Sequence, residues 1–433
     1  MQCIAGGEGL DLYQGIIRSS AGLFLMLLLV LPVAVLAEPG PATTGGDDID
    51  PSSIQQAASA AETDSSLIPL PVFATSRNGG NDYGIMPVWL FKEDEYINGI
   101  FAPSVIYNDN TGLNLTLRYF GYPTVDRQYR LFLNQSIGVD REVSAEYWDN
   151  RFSSGKFQLY VKGTYYKDST FRFFGLSEKS PEDGETNYSN VEFAPEAKLG
   201  YYLPHNLTLS LRERFRWVSI ARGKLDTLPY IQDTYRGLDG VTGGAALNNR
   251  LSLTYDSCAG GICPTDGWLA TVYGEANLGF TRTRAYTRVG ADVKKYFAMG
   301  ADGRFITVVK GAFELTGGSH VPFFERSTIG GENTLRGYGR YRFIDDGFVL
   351  INVEERIRLF RLYLYGVWSD WEVAPFVDMG RVYSSFAHAP LKGYKINPGV
   401  GFRAIVEPNV VGRVDLGLSD EGLTAFVGLD FPF

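Results

Sequence analysis

Residues that could carry out chemistry are few and scattered. The chain of 433 residues has three histidines, His205, His320 and His388, and each lies in a predicted turn or loop. None has the serine and acid spacing of a catalytic triad, and the nucleophile motif G-x-S-x-G does not occur. The pair Asp345-Asp346 could bind a cation, but adjacent loop acids are usually just solvated. The sequence therefore predicts no catalytic residue, no metal site and no cofactor.

The N-terminal part of the chain predicts export. Residues 22–37 are continuously apolar, follow Arg18, contain Pro32 and end in the small residue Ala37. This pattern is typical of a secretory signal peptide over residues 1–37, because the stretch is short for a membrane-spanning helix and is interrupted by proline. Residues 38–68 hold six acidic residues and neither lysine nor arginine. They predict a flexible acidic linker, which leaves residues 69–433 as the folded domain.

Cysteine chemistry after the signal peptide is confined to one segment, S-C-A-G-G-I-C. Cys258 and Cys263 flank a glycine-rich turn, and in an exported chain this arrangement predicts a small disulfide. Zinc binding would need two further ligands, and no other cysteine or nearby histidine supplies them. The net charge of −9 comes mostly from the acidic linker, so nothing indicates nucleic-acid binding.

The rest of the chain alternates apolar and polar residues in runs of about ten, the length at which a tilted strand crosses a bilayer. In residues 267–278, for example, Trp268, Val272 and Leu278 fall on one face, and Glu275 and Asn277 on the other. Strands of soluble sandwiches are about half as long. Abundant Gly (50), Tyr (26) and Phe (28) suit tight turns and aromatic girdles. We therefore predict an all-β, transmembrane antiparallel β-barrel in the bacterial outer membrane.

About 16 strands are predicted, an even number that returns both chain ends to the periplasm. A turn at residues 167–169 would change the count by two. The predicted strands are 98–109, 112–122, 127–137, 141–149, 156–173, 189–203, 206–219, 242–256, 267–278, 284–296, 304–316, 347–360, 371–384, 396–406, 411–419 and 423–433.

The C-terminal segment F-V-G-L-D-F-P-F predicts the closing strand. Apolar residues alternate from Ala425 to Phe431 and Phe433, while Gly428 falls on the opposite face. An unpaired strand edge in lipid costs several kcal/mol for each open N–H or C=O group, so the sheet must close on itself.

The longest loop, residues 317–346, carries the motif P-F-F-E-R-S-T-I-G-G-E-N-T-L-R-G-Y-G-R-Y-R-F. Three further features follow the same pattern: Y-D-S…P-T-D-G at 255–267, N-V-E-E-R at 352–356 with P-F-V-D-M-G-R-V-Y at 375–383, and the aromatic C-terminus. With these, the chain resembles the bacterial surface antigen superfamily of BamA and TamA type. The resemblance is good over about residues 250–433.

The resemblance implies that the 317–346 loop folds back into the barrel lumen. Arg336, Gly337 and Tyr338 match the loop tip of the family, and Asp378 and Glu354 match acids of the barrel wall. The chemistry agrees, because an arginine in a confined lumen needs carboxylate partners and a glycine permits close approach or positive φ. By the same parity, Glu355 would face lipid and should lie near an interface, unless the register differs by one.

The resemblance also implies a role in outer-membrane protein assembly or in substrate translocation. The mechanism would use a weak seam between strands 98–109 and 423–433, at which an incoming strand is templated. The alternative is a passive gated channel or a structural barrel without assembly activity. Assembly members of the family carry periplasmic polypeptide-transport-associated modules, which the 31 residues of the acidic, polar linker cannot supply, so a member lacking them is expected. The expected partners are outer-membrane lipid and, beyond lipid, unfolded outer-membrane proteins or a separately encoded periplasmic protein.

Overall fold

The computed structural model describes residues 64–76, 80–93, 96–124, 126–136, 140–259, 263–299, 303–385, 392–406, 410–429 and 431–432. The predicted signal peptide, residues 38–63 of the predicted linker, and Phe433 lie outside the described residues. The first strand begins at Asp64, so the last five residues of the predicted linker are part of the sheet.

Strands make up most of the described chain. They are β1 (Asp64–Ser76), β2 (Gly80–Glu93), β3 (Tyr96–Phe101), β4 (Ser104–Asn108), β5 (Gly112–Thr124), β6 (Arg127–Ser136), β7 (Arg141–Arg151), β8 (Phe157–Phe173), β9 (Thr186–Leu203), β10 (Leu207–Arg222), β11 (Gly244–Asp256), β12 (Gly267–Phe280), β13 (Tyr286–Met299), β14 (Phe305–Gly317), β15 (Ser327–Ile329), β16 (Phe343–Asp345), β17 (Gly347–Leu364), β18 (Val367–Tyr383), β19 (Lys395–Val406), β20 (Val410–Ser419) and β21 (Gly422–Leu429).

All strands except β15 and β16 belong to one antiparallel sheet, in which each strand pairs with its neighbours along the chain. β3 and β4 are two parts of one strand, interrupted at residues 102–103, because both pair with β2 and with β5. The sheet closes when β1 pairs with β21 at Thr75↔Ala425. The all-β barrel fold is thus confirmed. When β3 and β4 are counted as one, the described wall has an even number of strands, and both ends of the sheet therefore lie at the same rim. We call this rim, which holds Asp64 and Leu429, the proximal rim.

The sixteen predicted strands are all present, and β1 and β2 precede them. The prolines of these two strands, Pro69, Pro71 and Pro87, lack the N–H group of a ladder donor, and β1 starts in a polar acidic stretch. Proline lowers the expectation of a strand, which is why sequence patterns missed both. Residues 167–169 lie inside β8, so no turn forms there.

Helical structure in the described residues is limited to single turns. They are α1 (Phe152–Gly155), α2 (Ile231–Thr234) and two 3-10 turns, Glu182–Gly184 and Phe323–Glu325. None of the described helices is long and apolar enough to cross a membrane.

The two faces of the wall follow the predicted alternation. On β12, Trp268, Val272 and Leu278 are exposed on the outer face, whereas Glu275 and Asn277 are buried on the inner face. Glu355 has the outer parity on β17 and accepts a hydrogen bond from Thr307 at 2.6 Å. Thr307 is the third residue of β14, so Glu355 lies close to the proximal rim and the register is the predicted one.

Candidate functional site

The loop between β14 and β17 enters the barrel through a short hairpin stem formed by β15 and β16. Wall arginines hold the start of this stem. Arg216 donates to the carbonyl oxygen of Phe324 at 2.7 Å and to Glu325 at 3.0 Å, and Arg288 donates to the carbonyl oxygen of Glu325. Since both arginines project from the inner face, the loop base is fixed to the wall before the chain reaches the tip.

The tip of the loop is anchored by Arg336, whose side chain is fully buried. Its Nε and Nη2 donate to Asp378 at 3.0 and 2.8 Å, and its Nη1 donates to Glu354 at 2.6 Å. The backbone N–H of Arg336 also donates to Asp378, at 3.0 Å. The planar guanidinium thus makes a two-pronged bond to one carboxylate and a single bond to another, the geometry that arginine provides and lysine cannot.

A third carboxylate, Asp415 on β20, completes the anchor. It lies 3.5 Å from Nη1 of Arg336, 2.9 Å from Arg403 and 2.6 Å from Arg413. Glu354 is shared in the same way, with Arg403 at 3.1 Å and Arg356 at 3.2 Å. Four arginines therefore meet three carboxylates across β17, β18, β19 and β20, for a formal charge of +4 − 3 = +1. Buried charges persist only when they are paired this closely.

Neutral groups orient Asp378. Asn352 donates to its Oδ1 at 2.8 Å and Asn397 to its Oδ2 at 3.2 Å. Asn352 also donates to the carbonyl oxygen of Thr334, in the loop, at 2.7 Å. The centre of the Phe376 ring lies 3.4 Å from Cζ of Arg336, which adds a cation–π contact between two buried side chains.

Gly337 allows the backbone of the tip to touch the wall. A Cβ at this position would lie 2.7 Å from Cβ of Asn397 and 3.0 Å from the carbonyl oxygen of Leu418. Gly417 faces it, since a Cβ there would lie 2.3 Å from the carbonyl oxygen of Arg336. The φ of Gly337 is not in the left-handed region. Of the two reasons expected for this glycine, close approach is therefore the one that applies.

Tyr338 fixes the tip to the turn between β20 and β21. Its hydroxyl donates to Asp420 at 2.6 Å, and Asp420 also accepts from Lys395 at 2.8 Å. Burial and the bond to Asp420 raise the pKa of Tyr338 above its usual value. Burial acts to raise the pKa of Asp420 as well, but its bonds from Lys395 and Tyr338 outweigh that and lower it. The tyrosine therefore stays a neutral donor and the aspartate a charged acceptor.

The structure thus brings Arg336, Gly337 and Tyr338 together with Asp378 and Glu354. Sequence reasoning missed the rest of the anchor, although one signal was present. Charged residues such as Arg403, Arg413 and Asp415 stand at alternate positions in otherwise apolar strands, and in a bilayer such a row must face inward. The missed members are Asp415, Arg403, Arg413, Arg356, Asn352, Asn397 and Phe376.

The C-terminal residues contact the same inner face. Gly428 pairs with Arg413 across β20 and β21, and a Cβ at Gly428 would lie 3.1 Å from Nε of that arginine. The ring of Phe431 lies 3.7 Å from Cζ of Arg356. The end of β21 therefore turns toward the interior of the barrel.

The predicted disulfide is not formed. Cys258 and Cys263, both among the described residues, are separate thiols. Cys263 packs with Ile405 and Val411, whereas Cys258 packs against a different apolar group around Tyr296. Burial, with the adjacent charge of Asp256, raises the pKa of Cys258 to about 11, so this thiol is poorly reactive.

The loop does not fill the lumen. A cavity of about 460 Å³ lies between the loop and β8–β10, beside Glu192, Arg214 and Tyr341. A second, of about 540 Å³, lies on the other side of Tyr341, beside Asp168 and Arg340. Both are lined by charged and polar side chains, so water can occupy the lumen beside the plug.

Comparison with known families and structures agrees with this architecture. The Omp85 superfamily domain matches residues 106–404, more than half of the chain. Among solved structures, BamA from Haemophilus ducreyi lacking POTRA domains 1–3 is similar, with 15% identity, a TM-score of 0.50, and coverage of 89% of this chain and 79% of that one. CdiB from Escherichia coli is similar with 12% identity and a TM-score of 0.52, over 82% of this chain and 66%, just under two thirds, of that one. At these identities, the two structures support the fold alone.

Proposed function

Because the chain belongs to the Omp85 superfamily of bacterial outer-membrane proteins, we propose that this barrel assembles outer-membrane proteins or moves a substrate across the outer membrane. The observation that carries the proposal is the narrow closure of the barrel. In the described residues, β1 and β21 share the single register pair Thr75↔Ala425, whereas β20 and β21 pair along their whole length from Gly412↔Leu429 to Ser419↔Gly422. Among the described residues, the β1–β21 seam therefore has fewer backbone pairs than the β20–β21 joint beside it.

A weak seam supports strand templating. Opening it exposes one edge of β21, and such an edge can pair with an incoming strand by main-chain hydrogen bonds. The anchored loop tip contacts β18, β19 and β20, and the hydroxyl of Thr424 on β21 donates to the carbonyl oxygen of Gly337 at 3.2 Å. These strands therefore remain fixed together while β21 separates from β1. The partners that fit this mechanism are an unfolded outer-membrane strand and a separately encoded periplasmic protein.

A disulfide lock tests the proposal. Cys258 and Cys263 are first replaced by alanine, and cysteines are then introduced as Thr75→Cys with Ala425→Cys, a pair that spans the seam. The matched control keeps Ala425→Cys but joins it to Leu416→Cys, its partner on β20. We expect the oxidised seam lock to abolish assembly or export of a reporter outer-membrane protein, and reduction to restore it.

The control pair should support normal activity whether oxidised or reduced. Full activity with the oxidised seam lock would contradict the proposal, because substrate would then pass without the seam opening.

The polar cavities beside the loop support a second candidate, a gated small-solute channel. In that case, Arg336→Ala should release the plug and raise the single-channel conductance in planar bilayers sharply. An unchanged conductance would rule the channel out and leave the seam as the route.

A further inference from the structure

The inner face of the first strands is apolar near the proximal rim, where a water-filled lumen would call for polar residues. Leu115 and Leu117 are exposed on the outer face of β5, so Phe120 lies on its inner face. Phe120 pairs with Ile100 on β3, and Ile100 pairs with Leu90 on β2. The inner face of these strands is therefore a continuous apolar surface, on which Leu90 and Ile100 are almost completely buried.

The residues that cover this surface come from the outer face of the last strands. Val377 is exposed on the outer face of β18, and Trp371 has the same parity. Trp371 pairs with Ala404 on β19, so both have the outer parity. Val367 and Val406 share that parity, and they pack in one cluster with Leu90 and Ile100. The two ends of the sheet therefore overlap near the proximal rim, with the first strands on the outside.

One contact holds this overlap, and a second makes room for it. Lys92 of β2 donates to the carbonyl oxygen of Gly366, in the turn between β17 and β18. Phe431 lies against Arg356 inside the barrel, so the end of β21 leaves the wall and makes room for the first strands to cover β18 and β19.

The overlap encloses a cavity of about 310 Å³, a volume at the lower end of the range for ligand sites. One wall is the inner face of β1, β2, β3, β5 and β6, and the other is the outer face of β18 to β20. Among the described lining residues, the charged one is Arg130, whose guanidinium lies 5.6 Å from the ring of Phe120. The apolar lining residues include Ile68, Val88, Leu90, Tyr122, Val367 and Trp371.

The apolar lining of the cavity favours a hydrocarbon chain over a polypeptide strand as its ligand. A polypeptide strand placed between two strand faces, rather than beside an edge, would leave its N–H and C=O groups without partners, at a high cost in an apolar site. A hydrocarbon chain needs no such partners and gains from leaving water. The cavity wall formed by the outer face of β18 to β20 is continuous with the lipid-facing surface at Val377 and Phe402. An acyl chain from the bilayer can therefore enter along this face.

We propose that this seam cavity binds one acyl chain of a phospholipid from the surrounding bilayer, with the phosphate of the head group drawn toward Arg130. The bound lipid fills the space between the overlapping ends of the sheet. Removing it would leave two apolar faces with a gap between them, so lipid occupancy and the packing of the seam are linked.

Lipid retention tests the proposal. The purified full-length protein is taken from nanodiscs of phosphatidylethanolamine and phosphatidylglycerol into detergent, and bound phospholipid is counted by native mass spectrometry. Ala404→Phe fills the cavity, and Ala276→Phe places the same side chain on the outer face of β12, away from the seam. We expect one phospholipid per chain in the unchanged protein and in Ala276→Phe, and at least tenfold less in Ala404→Phe.

A second variant guards against a failure to fold. A Cβ at Gly412 would have its nearest neighbour at 3.8 Å, so the backbone there accepts a side chain. Because Gly412 lines the cavity, the two methyl groups of Gly412→Val should also reduce retention. Folding of each variant is checked by the difference in gel mobility between boiled and unboiled samples. Equal retention in folded Ala404→Phe, folded Gly412→Val and the control would overturn the proposal.

The position of the lipid is tested with a phosphatidylglycerol that carries a diazirine at the end of its acyl chain. Photolabelling should modify peptides from both β2 and β19, and Ala404→Phe should suppress both adducts. Labelling only of outer-face residues away from the seam would overturn the proposal. So would capture of a synthetic outer-membrane strand peptide by a photoreactive residue at Val88 with lipid absent from the site.

Discussion

Arg336 is the residue on which the luminal plug depends. Its guanidinium neutralises carboxylates on β17 and β18 that have no access to water, and its backbone N–H binds Asp378 as well. In such a site, the loss of one charged partner changes the stability much more than the complete set of pairs contributes. The complete set of pairs contributes modestly to stability, but removing one partner leaves charges buried without compensation.

We therefore expect Arg336→Ala to lower the free energy of unfolding by about 3–5 kcal/mol, because Asp378 and Glu354 would lose their shared cation. The measurement is urea unfolding in detergent, followed by the gel mobility of unboiled samples. Arg222→Ala is the control, because its pair with Asp233 is largely exposed and should contribute less than about 1 kcal/mol. Equal losses in the two variants would show that the anchor is not buried.

Gly337 makes a separate prediction about packing. The Cβ of Gly337→Ala would lie 2.7 Å from Cβ of Asn397, so the tip must move away from the wall and weaken the bonds of Arg336. We expect a loss of about 1–3 kcal/mol by the same unfolding measurement. Gly274→Ala on β12 is the control, because a Cβ there meets nothing within 4 Å. A neutral Gly337→Ala would contradict the close approach.

At the scale of elements, the sequence alone predicted most strands of the wall, but it did not predict which strands meet where the barrel closes. Alternation over about ten residues predicted sixteen strands, since each strand must place apolar groups in lipid and polar groups in the lumen. The first two strands, β1 and β2, were not predicted because they contain prolines. The predicted seam joined residues 98–109 to the last strand, whereas the structure places β1 beside β21. Arg336 of the loop pairs with carboxylates on β17, β18 and β20. The alternation of residues along one strand does not show which side chains meet across different strands.

The turn between β11 and β12 makes an element-scale prediction. Because the pKa of Cys258 is about 11, the fraction present as thiolate at pH 8 is about a hundredth of that of an ordinary cysteine. Iodoacetamide should therefore modify Cys258 about a hundredfold more slowly in the folded protein than in urea. Equal rates, or an intact mass that shows a disulfide with Cys263, would contradict the packing of this turn.

For the whole molecule, the positions of the ion pairs and of the sparsely paired seam suit a barrel whose wall opens on one side. The anchor ties the loop to strands β17 to β20, and the loop base is tied to β10 and β13 through Arg216 and Arg288. The plug thus connects strands β10 and β13 to strands β17 to β20, whereas β1 and β21 share one register pair in the described part of the chain. Local openings occur where the fewest interactions hold an element, so the seam is where we expect motion.

Photo-crosslinking at the seam in living cells shows whether a substrate strand contacts the edge of β21. A photoreactive residue replaces Val427 on the outer face of β21, and the control replaces Val272, which is similarly exposed on β12. We expect adducts with an outer-membrane protein in transit at residue 427 but not at residue 272, and loss of these adducts when the disulfide between residues 75 and 425 closes the seam. An absence of adducts at residue 427, or equal adducts at both positions, would contradict this expectation.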